Sequence, residues 1–387
     1  MPDSLLEADK ARGRQYVEAL TGLRGLAAVF VFLFHYLHFN PQVNLAASVP
    51  ILGTVLQFPF DFGFMGVDLF FVLSGFLLSL PFAAATLGSI EPPRLRHYFK
   101  RRVLRVFPAY YAQLAIILLV GSWFVTWKPV GGVSLLAHLF MLFNIGPDPV
   151  RPMVGVWWTL PVEFSFYLVL PIIALVMRPG RWPWLVLALG ASIAYRYWAA
   201  GQFESGNPLM LAANHLPGSL PEFLLGAGAA LLIQRRVQKK VPPRPAWLLD
   251  LTVVASMLLT GLWFLLIVGP NGEAYWTGHW SMIMAPTALG LLLGALVWAV
   301  YSGSRVGGLL FANRAVHFLG LVSYSLYLWH FVVMQQLIQV FGDPYAQMPQ
   351  LPKFLLTTFV VLSIAWASYW FIERPFFRQR AFVPEKS

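Results

Sequence analysis

The sequence predicts an all-α, polytopic integral membrane protein with about ten transmembrane helices and one short re-entrant or interfacial helix. Hydrophobic residues make up 58% of the 387 residues and charged residues only 11%, whereas soluble domains carry about 25% charged residues. The mean hydropathy of the chain is +0.67. Apolar stretches of the roughly 20 residues that a helix needs to cross a bilayer recur along the sequence. No polar segment between them is long enough to fold alone.

The predicted transmembrane helices lie at residues 19–39, 62–85, 105–127, 154–177, 182–200, 211–234, 247–269, 280–301, 315–341 and 351–373. The apolar segment 134–144 is too short to span, and we predict it to be the re-entrant or interfacial helix. We expect an N-terminal cytoplasmic segment (1–18), a transmembrane domain (19–373) and a cytoplasmic tail (374–387). The chain begins with polar residues rather than a cleavable signal, so the first span is expected to be retained.

Basic residues alternate between loops in a way that predicts the topology. All but five of the 27 lysines and arginines lie in the N-terminal segment, the C-terminal tail or alternate loops; Lys128, Arg151 and Lys353 lie in the intervening loops, and Arg24 and Arg196 lie within predicted helices. Because basic residues concentrate on the cytoplasmic side, both termini are predicted to be cytoplasmic. Topology thereby explains the net charge of +11 without a nucleic-acid partner.

The chain contains no cysteine. This excludes disulfides, thiolate metal sites and an acyl-enzyme on a cysteine. Any covalent or acid–base chemistry must therefore use other side chains, and no metal cofactor is predicted.

The first span, TGLRGLAAVFVFLFHYLHF at 21–39, carries polar residues that cost free energy in hydrocarbon. Arg24 and His35 are eleven residues apart, close to three turns, so both lie on one helix face with a rise of about 16 Å between them. Arg24 could simply reach the cytoplasmic interface and His35 make one structural hydrogen bond. The alternative is a functional face with a cation at one end and an imidazole at the other. His38, one turn further out, is expected to be interfacial.

The second span contains GVDLFFVLSGFLL at 66–78. Asp68, near its outer end, could orient an imidazole, hold a hydroxyl acceptor or cap the helix. Ser74 and Gly75 are expected to allow close helix packing rather than to react.

The stretch YFKRRVLRVFPAYY at 98–111 enters the third span from the cytoplasm. Arg102 and Arg105 share a helix face, with Lys100 and Arg101 beside them. These residues could be ordinary positive-inside charges. Alternatively they form a cradle for an anion, because guanidinium groups bind phosphate in a bidentate manner. Cations at a helix N-terminus oppose the macrodipole, which favours the second interpretation.

Later spans add further polar residues. Glu163, in VWWTLPVEFSFYLVLP, is expected to be neutral or paired, with Arg196 or a histidine as the partner. The segment LVSYSLYLWH at 321–330 ends in His330, and its tyrosines, Tyr324 and Tyr327, are expected mostly to pack. Glu373, in FIERPFF, could pair with the basic cytoplasmic loops.

Six of these stretches together resemble the membrane-bound acyltransferase-3 family, whose members O-acylate bacterial sugars and related acceptors. They are LRGLAAVFVFLFH, GVDLFFVLSGFLL, FKRRVLRVFPAYY, WTLPVEFSFY, SYSLYLWH and IERPF, in that order over about residues 17–377. By this resemblance the family's arginine and histidine of the first helix fall on Arg24 and His35, its paired-arginine motif on Arg102 and Arg105, and its tryptophan–glutamate motif on Trp158 and Glu163. Phe164 and Ser165 stand where a second acidic or amide residue is common in the family.

The resemblance implies an O-acetyltransferase of the bacterial cytoplasmic (inner) membrane. Its donor would be acetyl-CoA on the cytoplasmic side, and its acceptor a hydroxyl of a glycan or glycolipid at or across the bilayer. The family's frequent C-terminal esterase-like domain is missing from this sequence, so we expect direct transfer to the acceptor or transfer through a separate partner.

A hydroxyl that attacks a thioester needs a base, and histidine titrates close to neutral pH. His35 is therefore predicted to be the general base in direct transfer, with a transient acyl-histidine as the alternative. The predicted catalytic residues are His35, Glu163 and Asp68, and the predicted donor-binding residues are Arg24, Arg101, Arg102 and Arg105.

Other functions are compatible with parts of the sequence. The acceptor could instead be a small glycoside or a macrolide. From another class, a secondary transporter or flippase could couple protons through Glu163 and His35, but the paired repeats typical of transporters are not found. A membrane scaffold has little need for these charges in hydrocarbon. The sequence leaves open the acceptor, the acyl chain length and the oligomeric state.

Overall fold

The computed structural model describes residues 2–45, 50–124, 131–144, 150–178 and 180–378. The regular secondary structure in these ranges is helical, and none of them contains a β-strand. The predicted all-α class is therefore confirmed.

The first part of the chain forms six helices. They are α1 (Pro2–Phe39), α2 (Pro50–Asp61), α3 (Met65–Thr86), α4 (Leu95–Phe124), α5 (Gly131–Leu139) and α6 (Thr159–Val176). A 3₁₀ turn at Gly155–Trp158 leads directly into α6. The short helix α5 corresponds to the predicted segment 134–144 but begins earlier and ends at Leu139.

Five helices follow in the middle of the chain. They are α7 (Trp182–Gln202), α8 (Asn207–Ala213), α9 (Leu216–Gln238), α10 (Ala246–Leu262) and α11 (Gly272–Tyr275). Helix α10 continues through a π-helical turn at Trp263–Val268 and a 3₁₀ turn at Gly269–Asn271.

The last part of the chain adds six more helices. They are α12 (Trp280–Tyr301), α13 (Arg305–Phe311), α14 (Arg314–Leu321), α15 (Ser323–Ala346), α16 (Gln350–Ser368) and α17 (Arg374–Arg378). A π-helical turn at Tyr369–Glu373 joins the last two.

Each of the ten predicted spans corresponds to a helical segment, but not all of them are simple spans. Within the described ranges, eight segments are long and apolar enough to cross a membrane, and the pair α14–α15 makes nine if it counts as one span. Helix α7 has 21 residues but is less apolar, since it carries Arg196. The single helix predicted at 315–341 is wrong: α14 and α15 meet at a bend of 71°.

A close backbone contact accompanies this bend. A β-carbon on Gly25 in α1 would lie 2.6 Å from the backbone nitrogen of Gly320 in α14, and one on Gly320 would lie 1.9 Å from the carbonyl oxygen of Thr21. Only glycine lets the two backbones approach this closely. Helix α14 therefore crosses α1 beside Arg24 instead of continuing the direction of α15.

Helices α3 and α9 pack through a second glycine contact. A β-carbon on Gly75 would lie 2.2 Å from the carbonyl oxygen of Phe223, and one on Gly226 would lie 2.2 Å from that of Val72. The predicted close packing at Gly75 is confirmed. Asp68 lies two turns before Gly75, and an acidic residue of α9, Glu222, lies one turn before Gly226. The contact thereby fixes two acidic positions relative to each other.

The core on the other side of α3 is held by a buried polar bridge. The indole N–H of Trp157 donates to Gln113 Oε1 at 2.9 Å, and Gln113 Nε2 donates to the carbonyl oxygen of Leu328 at 2.6 Å. All three residues are buried. The bridge ties α4, the turn before α6 and α15 together, around the cavities described next.

Candidate active site

Two cavities lie side by side within the helix bundle. The first, which we call the arginine cavity, has a volume of about 120 Å³ and is lined by Arg24, Arg102, Arg105, Glu163 and Tyr167, among others. It contains three of the four arginines that the sequence assigned to the donor. The fourth, Arg101, is exposed on α4 and does not line this cavity.

The second cavity, which we call the histidine cavity, has a volume of about 450 Å³. His35, Asp68, Trp158, Arg196 and Glu222 are among the residues that line it. Aromatic side chains, among them those of Trp158, Tyr275 and Trp276, contribute to its wall. The cavity is therefore larger than the arginine cavity and combines aromatic surface with a few polar groups.

A single layer of side chains separates the two cavities. Val67, Phe71 and Tyr327 line both of them. The Tyr327 hydroxyl donates to the carbonyl oxygen of Val156 at 2.5 Å and lies 2.7 Å from Thr159 Oγ1. Tyr327 was expected mostly to pack; it is instead held by hydrogen bonds in the wall that the cavities share.

The hydrogen bonds of His35 define its tautomer. Its Nδ1 lies 2.8 Å from the carbonyl oxygen of Val31 and 3.2 Å from His330 Nε2. His330 Nδ1 lies 3.0 Å from the carbonyl oxygen of Leu326. Because a carbonyl oxygen only accepts, each ring carries its proton on Nδ1. His330 Nε2 then accepts from the Nδ1–H of His35, and His35 Nε2 keeps its lone pair.

The position of the His35 ring leaves this lone pair accessible. The ring is half-buried, and no hydrogen bond to Nε2 is present among the described residues. Phe34 and Phe331 pack edge-on against it, with ring centroids at 5.2 and 5.3 Å. These hydrogen bonds and aromatic contacts hold the imidazole in one orientation, and the ring lines the histidine cavity. The sequence identified His330 but gave it no role.

The arginine cavity has an excess of positive charge. Three guanidinium groups line it, against the single carboxylate of Glu163. Arg105 Nη1 lies 3.9 Å from Glu373 Oε2, as expected for a pairing of Glu373 with a basic residue. Glu373 in turn accepts a hydrogen bond from Ser325. The guanidinium of Arg102 lies over the Tyr167 ring, 5.9 Å from its centroid.

Glu163 has a different partner from the one the sequence predicted. Its Oε1 accepts a hydrogen bond from Ser74 Oγ at 2.6 Å. Ser74 therefore does more than allow close packing. Arg196, one of the possible partners of Glu163, is not its partner, because the guanidinium of Arg196 donates to the carbonyl oxygens of Ala213 and Met282, at the end of α8 and in α12.

Asp68 lines the histidine cavity, but it does not orient the imidazole. The carbonyl oxygen of Val31 and the ring of His330 orient the imidazole instead. Asp68 lies near Glu222, and both side chains line the cavity. Sequence reasoning missed Glu222, although a signal was available, since an acidic residue inside a predicted span is a functional candidate by its cost alone.

Comparison with known proteins identifies the family of this chain. A family model described as an acyltransferase domain matches residues 17–370. A Staphylococcus aureus (strain COL) protein named provisionally as an O-acetyltransferase is 25% identical, over 95% of this chain and 58% of its own length. The peptidoglycan O-acetyltransferase OatA of Listeria monocytogenes (serovar 1/2a) is 23% identical, over 96% of this chain and 57% of its own length.

A third relative, the O-acetyltransferase OatA of Staphylococcus aureus (strain NCTC 8325), is 24% identical, over 98% of this chain and 60% of its own length. The chain thus spans about three fifths of the length of the curated relatives that it matches. No solved structure matches it.

Proposed function

Because this chain belongs to the acyltransferase-3 family, we propose that it transfers an acetyl group from cytoplasmic acetyl-CoA to a hydroxyl of a glycan or glycolipid, at or across a bacterial inner membrane. The observation that carries the proposal is the accessible Nε2 of His35, held in one tautomer on the wall of the histidine cavity. A neutral imidazole with a fixed Nδ1–H is a general base ready to accept a proton at Nε2.

The arginine cavity is the proposed entrance for the donor. The nucleotide end of coenzyme A carries several phosphate charges, and guanidinium groups bind phosphate more strongly than neutral donors do. Arg24, Arg102 and Arg105 supply three such groups in one cavity. In the topology expected from the basic loops, this cavity would face the cytoplasm, where acetyl-CoA is found. Lipid alone offers no reason to gather three cations here.

The thioester would then meet the acceptor at the shared wall of Val67, Phe71 and Tyr327. The pantetheine arm is a slender chain, and a displacement of the Phe71 side chain, which no hydrogen bond holds, would let it pass. The acceptor binds in the histidine cavity, with its hydroxyl beside His35. This arrangement keeps the anionic nucleotide and the acceptor on opposite sides of one layer of side chains.

The transfer step balances with the residues at the site. His35 Nε2 takes the hydroxyl proton as the acceptor oxygen attacks the thioester carbonyl carbon. The new C–O bond forms, the C–S bond breaks, and the coenzyme A thiolate leaves and takes the proton back from the imidazolium. General base catalysis of this kind contributes about 10² to 10⁴ in rate, and the rest comes from the positioning of both substrates.

Glu163 is proposed to position the arginines rather than to exchange protons. Its carboxylate is held by Ser74 and lines the arginine cavity. One carboxylate among three guanidinium groups reduces their mutual repulsion while it leaves a net positive charge for phosphate. Asp68 is assigned to the acceptor side, with Glu222.

The experiment that tests the proposal uses the full chain in lipid nanodiscs with labelled acetyl-CoA and bacterial envelope glycan fractions. Mass spectrometry of the glycans should show an O-acetyl ester that depends on the protein. His35→Ala should lower the transfer rate about 10²- to 10⁴-fold. His97→Ala, at an exposed histidine on α4, is the matched control and should retain the wild-type rate. No ester with any fraction would refute the proposed function.

A further inference from the structure

A further cavity lies between α9 and α12, with the ends of α6 and α7 beside it. It has a volume of about 530 Å³, and we call it the α9–α12 cavity. Most of its wall is apolar, with Leu225, Leu231, Leu232, Leu291 and Ala295 among the lining residues. None of its lining residues belongs to the arginine cavity or the histidine cavity. The reaction proposed above therefore leaves this cavity without a role.

A glycine in α9 leaves room in the apolar part of the cavity. A β-carbon on Gly228 would have no neighbouring heavy atom within 4 Å, although the residue is half-buried within a membrane-span candidate. Gly290 and Gly294 of the facing α12 differ, because a β-carbon on either would contact Leu225. The wall beside Gly228 can therefore accommodate an apolar chain, whereas the other two glycines serve helix packing.

Basic side chains from three segments line one end of this cavity. They are Arg178, which follows α6, Arg235 in the last turn of α9, and Arg244 in the loop before α10. Arg235 and Arg244 also line an adjoining cavity of about 170 Å³, together with Arg236 and Lys239. The apolar groove thus leads into a basic one.

The loop between α9 and α10 holds Arg244 over this groove. Arg236 Nη2 donates to the carbonyl oxygen of Pro242 at 2.6 Å, which ties the loop back to the end of α9. The guanidinium of Arg244 lies over the ring of Trp298, 5.5 Å from its centroid. A cation placed over an aromatic ring is oriented and keeps its charge. Arg244 is therefore positioned in the wall of both cavities.

The positive charge here is not balanced by acidic side chains. No aspartate or glutamate lines either cavity, and no salt bridge joins the three arginines to an acidic residue within the described ranges. The acidic residue that follows the loop in the sequence, Asp250, accepts hydrogen bonds from Ser304 Oγ and the backbone N–H of Val306 instead. An anion would therefore find several cations without a competing carboxylate.

We propose that the α9–α12 cavity binds an anionic membrane phospholipid, with its phosphate at the arginines and an acyl chain along Gly228. Guanidinium groups bind phosphate in a bidentate manner, and basic pockets between spans on the cytoplasmic side are typical of anionic lipid sites. A soluble phosphate would fill only the basic end and leave the apolar wall uncovered. The site shares no lining residue with the two substrate cavities, so its test does not depend on the proposed function.

The test measures the lipid bound to the purified full chain in detergent by native mass spectrometry. The probes are phosphatidylglycerol and phosphatidylcholine with the same acyl chains. Phosphatidylglycerol should bind at one tight site per chain, at least tenfold more tightly than phosphatidylcholine, whose head group brings a cation to the arginines. Equal affinity for the two lipids would overturn the proposal.

A pair of double variants tests the head-group site. Arg235→Gln with Arg244→Gln should weaken phosphatidylglycerol binding at least tenfold, because each basic residue near an anionic lipid contributes about fivefold. The matched control, Arg94→Gln with Arg96→Gln, removes two exposed arginines at the start of α4 that line neither cavity. It should change the affinity less than twofold. Equal weakening in both double variants would overturn the proposal, since the attraction would then come from the basic face as a whole.

A second pair of variants tests the acyl-chain site and stays decisive if the first pair folds poorly. Gly228→Leu should fill the apolar part and weaken phosphatidylglycerol binding at least fivefold. Gly190→Leu is the control, because this exposed glycine of α7 also has no heavy atom near its β-carbon position and does not line the cavity. An unchanged affinity in Gly228→Leu would overturn the proposal.

Competition distinguishes the lipid from a soluble anion. Inorganic phosphate or acetyl-CoA in tenfold molar excess should leave phosphatidylglycerol bound, because neither covers the apolar wall. Displacement by either compound would overturn the proposal and assign the cavity to a soluble phosphate ligand.

Discussion

The arginine cavity and the histidine cavity share one wall but are built from different kinds of residue. The first is small and carries three guanidinium groups against one carboxylate. The second is almost four times larger, is lined by aromatic rings, and sets a carboxyl pair against one arginine. Charge recognition suits a phosphate-bearing donor, whereas shape and hydroxyl recognition suit a glycan acceptor. We therefore expect the two cavities to bind different substrates, so that mutations on each side affect different kinetic constants.

Among the substitutions that distinguish the two cavities by their effects on KM, the largest effect is expected at the arginine cavity. Arg102→Ala should raise the KM for acetyl-CoA about 10- to 100-fold, because a hydrogen bond to a charged group contributes about 1.5–3 kcal/mol. The acceptor KM should stay unchanged. The neighbouring Arg101, exposed and outside the cavity, supplies the control: Arg101→Ala should change the donor KM less than twofold. Equal effects of the two substitutions would mean that the donor does not enter through this cavity.

At the histidine cavity, His330→Phe should lower kcat about tenfold and leave both KM values unchanged. The substitution removes the acceptor for the Nδ1–H of His35, a hydrogen bond that contributes about 1 kcal/mol. His317→Phe is the control, on α14. A positioning role also predicts a change in the pH profile of kcat, which a packing defect would not cause. A change in donor KM would contradict the separation of the cavities.

The shared wall gives a third comparison. Phe71→Ala should open the passage and raise the hydrolysis of acetyl-CoA in the absence of acceptor several-fold, because water in the histidine cavity would then reach the thioester. Phe76, one turn further along α3 and fully buried, is the matched site: Phe76→Ala should lower the melting temperature without raising hydrolysis. Hydrolysis that stays at the wild-type rate in Phe71→Ala would show that this side chain does not separate the substrates.

The smallest expected effect is on stability, and it comes from His138, whose hydrogen bonds support the histidine cavity. His138 in α5 donates from Nδ1 to the carbonyl oxygen of Ser134 and accepts at Nε2 from the backbone N–H of Met153, at 2.7 and 3.0 Å. These bonds hold the segment that leads to Trp158. Burial lowers the pKa of His138 below its usual value of 6.5, so the folded state favours the neutral ring.

The sign of the pH effect follows from this shift. Stability from His138 is fully present above about pH 6.5 and is lost as the pH falls toward the lower folded-state pKa, because the unfolded chain then binds the extra proton. The melting temperature of the purified protein should therefore fall by a few degrees between pH 7 and pH 5. In His138→Gln this slope should flatten. An unchanged slope would exclude His138 as its origin.

The sequence identified most of the charged residues of the arginine cavity but not the contacts of the histidine cavity, and the reason is physical. Arg24, Arg102 and Glu163 each stand out as a charge in an apolar stretch, where the cost of burial identifies them individually. The residues that contact each of these polar side chains cannot be identified from the cost of burial. His35 and His330 are 295 residues apart in the chain, and only the packing of α15 against α1 brings their rings together.

The same limit explains the error at Arg196. Its charge was recognised, but the direction of its side chain depends on how α7 packs against α8 and α12. Helix boundaries show a related limit. Helix α4 begins at Leu95 and not at 105, because a helix can continue past the membrane through polar residues that hydropathy does not register. The length of each apolar stretch predicts a membrane span well, whereas the contacts between spans depend on tertiary packing.

Whether His35 Nε2 is the base is decided by rescue of the His35→Ala protein with added imidazole. We expect His35→Ala to transfer acetyl groups about 10² to 10⁴ times more slowly than wild type. Millimolar imidazole, entering the vacated part of the histidine cavity, should restore part of the rate as its concentration rises. Transfer at the full wild-type rate by His35→Ala without imidazole would show that His35 is not the base.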